Sequence, residues 1–147
     1  MKIYKSIDIE DEIRNALDLY LDAYVRPLPA EYALPHIEIT KVGGTDSQTI
    51  DTFSVVLDAR AETEAEAVDY LNTAIGILRQ VAKEQTSRIR HVTVNSSGSW
   101  GKDPVRQDLS MNSARLEVVA HQSETEVDEQ YEPIIADEDV FVVAKRM

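Results

Sequence analysis

Apolar residues recur at three- and four-residue steps through Ile9, Ile13, Leu17, Tyr20, Leu21 and Tyr24, the spacing of one stripe on a helix. This pattern predicts a first helix from Asp8 to Tyr24. Asp8, Glu10, Asp11 and Glu12 crowd its first turn, where the helix dipole favours negative charge. Arg26-Pro27-Leu28-Pro29 ends it, because proline cannot continue the hydrogen-bond ladder, and Pro27, Pro29 and Pro35 stiffen the connector that follows. The period then changes to two. His36 to Val42 sets Ile37, Ile39 and Lys41 against Glu38, Thr40 and Val42, and Thr52 to Arg60 puts Phe53, Val55 and Leu57 on one face. Two strands with this alternation should pair as an antiparallel hairpin around a projecting loop, Gly43 to Gln48, whose glycines are free to take positive φ.

Thr63-Glu64-Ala65-Glu66 is a capping box. It opens a second helix with Val68, Leu71, Ile75, Leu78 and Ala82 on one stripe, flanked by Ala67, Ala74 and Val81. Arg88 to Asn95 alternates as a third strand, ending at Ser96-Ser97-Gly98-Ser99, and Ala114 to His121 is a fourth, with Leu116, Val118 and Ala120 on one face. The polar stretch Trp100 to Leu109 between them reads as a loop. The order α-β-β-α-β-β predicts an α+β domain, an antiparallel or mixed sheet of four to five strands with two main helices packed on it. Past Gln122 the pattern stops. Ser123 to Glu132 is acidic with little apolar content, the composition of a solvated linker or arm. Val140-Phe141-Val142-Val143 has strand propensity and would add to this sheet's edge or to a neighbouring subunit. The expected division is a domain over 1–122 and an acidic linker with a C-terminal arm over 123–147.

Composition narrows the function classes. The 147 residues suit one domain, and 43% hydrophobic content is enough for a core. A formal net charge of -12 argues against broad binding to nucleic-acid phosphates and to anionic membrane surfaces. The absence of cysteine removes disulfides, thiolate catalysis and Cys-type zinc sites. No apolar run approaches the roughly 20 residues of a membrane span, and the start MKIYKSIDIEDE has no apolar signal-peptide region. The expectation is a protein made in the cytoplasm without a membrane association.

Little in the chain points to chemistry. His36, His91 and His121 are the only histidines, and none has the i, i+4 spacing of a helical metal pair. There is no G-x-S-x-G, and Gly43-Gly44 lacks the third glycine of a dinucleotide fingerprint and precedes a strand. No catalytic, cofactor-binding or metal-ligating residue is therefore named. The candidates are contact residues. Gly43, Gly44, Thr45 and Asp46 sit in the projecting loop. Trp100 is the single tryptophan, of a residue type enriched at protein interfaces. Lys102, Arg106 and Arg115 could pair with a neighbour's acidic patch, and Val140, Phe141 and Val142 belong to the arm. An ordinary solvated loop, and a tryptophan tucked against its own sheet, stay open beside these readings.

Taken together, the chain resembles the tail terminator (tail completion) proteins of long, non-contractile-tailed bacteriophages. The resemblance lies in the order of elements from Asp8 to Gln122: the Ile13-Leu17-Leu21 helix, the proline connector and a strand ending in Val42-Gly43-Gly44-Thr45-Asp46. Then follow Ile50-Asp51-Thr52-Phe53-Ser54-Val55, an alanine-rich helix and a further strand. Gly101-Lys102-Asp103-Pro104 precedes Ala114-Arg115-Leu116-Glu117-Val118, similar to the family's arginine-led final strand. The segment from Ser123 to Met147 lies outside the resemblance. The resemblance implies a homo-oligomeric ring, usually of six copies, that caps the tail tube in the virion, ends tube growth and offers a surface to the head. Its partners would be the tail tube protein and a head-neck connector protein, with DNA passing through the ring without specific binding. The resemblance implies no enzyme and no cofactor. A head-tail connector or neck adaptor, and a small-molecule-binding α+β domain, are the competing readings.

Overall fold

The computed structural model of the chain describes residues 1–106 and 108–129, with 97–102 at the level of the backbone. The elements in chain order are β1 (Lys2–Lys5), α1 (Ile9–Asp18), β2 (Ala23–Val25), β3 (His36–Asp46), β4 (Ile50–Ala61), α2 (Glu64–Glu84), β5 (Ile89–Lys102), β6 (Ser110–His121) and β7 (Ser123–Glu126). The fold is α+β. A five-stranded mixed sheet in the order β2-β3-β4-β6-β5 carries two helices, and β1 and β7 form a separate two-stranded sheet. Only the β2–β3 pair in the larger sheet is parallel.

The core forms where the two periodicities meet. Ile37 and Ile39 of β3, Phe53, Val55 and Leu57 of β4, and Leu116, Val118 and Ala120 of β6 are all buried on the inner face. They pack with Ile9, Ile13 and Leu17 of α1 and with Leu71, Ala74, Ile75, Leu78 and Ala82 of α2. Each large aliphatic side chain closed off in this way contributes roughly 1.5–3 kcal/mol. Asp8 caps α1 and Thr63 caps α2, each side chain accepting from the backbone three residues on.

Four expectations are corrected. The first helix stops at Asp18 rather than Tyr24: the amides of Tyr20 and Leu21 both turn back to the Leu17 carbonyl, each at 2.8 Å. Tyr20 is left exposed, and Ala23–Val25 becomes β2, laid beside Ile37–Ile39. Burial beside β3 overrides a helical spacing that three residues satisfied by chance. Secondly, Gly43 to Asp46 is strand, not loop. A bulge at Val42 shifts the register between Lys41 and Gly43, and the turn tightens to Ser47–Thr49, closed by a Ser47 amide bond to the Ile50 carbonyl at 2.9 Å. Thirdly, β5 runs on to Lys102, so the connection begins only at Asp103. A bulge at Arg90 changes its phase, which buries Ile89 and Val92 together and sends His91 outward. Lastly, Ser123–Glu126, expected as the start of a solvated linker, is β7 and pairs antiparallel with β1. Val140, Phe141 and Val142 lie outside the described residues.

Candidate interaction surfaces

Two polar clusters stand out from the apolar sheet. The first sits on the outer face, at the end of β3 covered by the proline connector. Glu38 is 3% exposed and accepts from Arg26 Nε at 2.5 Å and from Arg60 Nη1 at 2.7 Å. Arg60 also donates through Nε to Asp103 at 2.6 Å. Burial alone would raise the Asp103 carboxyl, but the amides of Val105 and Arg106 and the Arg60 guanidinium outweigh it and hold it below the usual carboxylate range. The cluster thereby ties the 103–109 connection, β4 and β3 together.

Beside it, His36 is fully buried between the ring edges of Tyr24 and Tyr32. Its Nδ1 meets the Ala33 carbonyl at 2.8 Å. A carbonyl only accepts, so Nδ1 carries the proton, and Nε2 is left buried without a partner among the described residues. Burial pushes the imidazole below its usual pKa, against the opposing pull of the Ala33 bond. The arrangement is that of a neutral core histidine that holds the connector down.

The second cluster is a depression of about 390 Å³ at the β3–β4 end of the inner face. It is built by the bulge. Glu10 of α1 accepts from the Lys41 amide at 2.8 Å, which anchors the strand just before the register shift. Beyond it Gly44 stands opposite Phe53 and Asp46 opposite Asp51. Gly44 has φ +154°, and a Cβ there would lie 2.5 Å from the Thr52 carbonyl oxygen, so the position requires glycine. Phe53 forms an apolar wall with the Lys41 ammonium 5.2 Å above its ring, a cation–π distance. Asp51 is 2% exposed. Its Oδ1 accepts from Gln122 Nε2 at 2.8 Å, while Oδ2 is buried without a partner among the described residues.

The sequence-derived candidates divide between places. Gly43, Gly44, Thr45 and Asp46 come together along this depression. Trp100 and Lys102 lie on β5, opposite Asn112 and Ser110 of β6. Arg106 follows β5, with its guanidinium held by Asp108 at 2.7 Å and by the Tyr32 hydroxyl at 3.4 Å. These contacts, the Asp108 bond foremost, raise its pKa. Arg115 is exposed on the outer face of β6, between Val56 and Ser96. Sequence reasoning missed Lys41, Asp51 and Phe53 as a group. A signal was present: Asp51 occupies the apolar phase of its strand, two residues before Phe53, where an acid is out of place. The Glu38–Arg60–Asp103 link had no such signal, since it depends on register and on the return of the chain after β5.

Among the described residues no group of three or more His, Cys, Asp or Glu could hold a metal ion, and no helix is long and apolar enough to cross a membrane. No protein-family profile matches the chain, and no match is found among curated proteins.

Proposed function

We propose that this chain is a structural virion protein, a ring-forming subunit that caps a phage tail tube, ends tube growth and presents the surface for joining the head. The observation that carries the reading is the unlikeness of the two flanks of the sheet. On one flank β2 covers only Ile37–Ile39 and Glu10 of α1 takes the Lys41 amide, so among the described residues β3 past Lys41, to Asp46, is an edge with no strand beside it. On the other flank is β5, bonded among the described residues to β6 alone. Two unlike edges on opposite sides suit a head-to-tail contact, which closes into a ring when the rotation between copies divides the circle. Charge fits the same role. Six copies at -12 each sum to -72, and an acidic ring repels DNA moving through it instead of holding it. The partners in this reading are further copies of the chain, the tail tube protein and a head-neck connector.

The test is electron microscopy of particles made when the gene is disabled in its phage. Overlong, unattached tails beside filled heads are the expected result. Free tails of normal length would point instead to a neck adaptor, and intact infectious particles would end the assembly role.

A further inference from the structure

We propose that the depression at the β3–β4 end receives a cationic side chain from a second copy of this chain, with Arg79 of α2 as the donor. The inference rests on the ring reading above and gives its subunit contact a chemistry.

Three features of the depression ask for a cation. Among the described residues Asp51 Oδ2 is buried without a donor, a state that costs free energy until a partner arrives. Asp46 stands directly across from it on the same face, and like charges in cross-strand positions repel. Among the described residues Lys41 is the one cation lining the depression, its ammonium sits over Phe53, and the ion pairs do not join it to either aspartate. The ring of Phe53 supplies a wall on which a planar guanidinium can stack.

The position selects the donor. The depression lies on the β3 flank, along the stretch that β2 leaves uncovered. Arg79 lies at the other flank, lining a depression with Val94 of β5 and Gly76 of α2. It is exposed, and the ion pairs among the described residues leave it out. Nothing lies within 4 Å of where a Cβ on Gly76 would stand, so another chain can approach closely there. Donor and acceptor on opposite flanks make a contact that each copy can repeat with the next.

The experiment is mass photometry and sedimentation of the full-length chain over a concentration series, with unfolding temperature measured alongside. Asp51→Asn keeps the oxygen that Gln122 binds and removes the buried charge. It should weaken assembly by about tenfold or more while leaving the unfolding temperature of the monomer unchanged or higher, which a purely structural aspartate would not do. Arg79→Glu, a surface change on a helix, should weaken assembly similarly, and Asp46→Lys combined with Arg79→Glu should restore part of it. Rings of wild-type strength in both Asp51→Asn and Arg79→Glu would overturn the contact and leave the capping role standing. Loss with Asp51→Asn alone would overturn Arg79 as the donor. A wild-type chain that stays monomeric at every concentration would overturn the copy-to-copy contact, and the capping role would then be judged by tail length alone.

Discussion

Arg60 is the residue on which the outer-face cluster turns. It is 14% exposed, between a Glu38 that is 3% exposed and an Asp103 that is 8% exposed. Arg60→Ala would leave two buried carboxylates, Glu38 with the largely exposed Arg26 and Asp103 with the amides of Val105 and Arg106. The expected loss is about 3 kcal/mol or more in denaturant unfolding, the scale for breaking a buried pair by removing one partner; a loss below about 1 kcal/mol would mean that water takes over the role. His36 sets a pH dependence. Its folded-state pKa is depressed by burial, so as pH falls through about 6.5 the unfolded chain takes up the proton first and stability drops. That part of the stability is present above the unfolded pKa and declines towards the lower, folded one. His36→Phe fills the same slot between Tyr24 and Tyr32 without titrating. Its unfolding free energy should change less between about pH 6.5 and 5 than that of the wild type. An identical slope in the two proteins would place the dependence elsewhere.

At the level of elements, the β3–β4 hairpin shows how a bulge turns a predicted loop into strand. The glycines at 43 and 44 and the polar Thr45-Asp46 have the composition of a turn. Yet each pairs in register with β4 once Val42 is set aside as the extra residue. The two glycines then differ. Gly44→Ala should cost roughly 2 kcal/mol or more, because its backbone conformation and the Thr52 carbonyl both oppose a side chain. Gly43→Ala, with nothing within 4 Å, should stay within about 0.5 kcal/mol of the wild type. Thermal unfolding of the two variants side by side checks this, and equal effects would mean that the hairpin does not keep this register. Long periodic segments were legible from sequence: the buried faces of β4 and β6 are those that the spacing indicated, and that of α2 differs in burying Ala67 where Val68 was expected. Phase breaks were not. The bulges at Val42 and Arg90 restart the alternation, and a pattern that counts residues cannot see a residue set out of register.

For the whole molecule, β1 and β7 bring the start of the chain to a segment more than a hundred residues away. Lys2 pairs with Glu126 in register, and the amino terminus meets the Glu126 carboxylate at 2.9 Å. A two-stranded sheet is marginal by itself. A chain ending at Gln122 should therefore keep its main unfolding transition within a few degrees of the full-length value. Trypsin should cut it rapidly after Lys2 and Lys5, which β7 otherwise protects. A large fall in the main transition would show that the small sheet supports the core. What the sequence alone determined is the fold class and most of the core, because helix and strand periods are local and apolar burial follows them. The acidic balance is also read directly from composition. Only the tertiary structure decided that Ala23–Val25 joins the sheet, that Asp51 faces Asp46 beside Phe53, and that Arg60 binds both Glu38 and Asp103. Each of these depends on which distant strand lies alongside and in what register, and pairing across dozens of residues leaves no period in the chain to read.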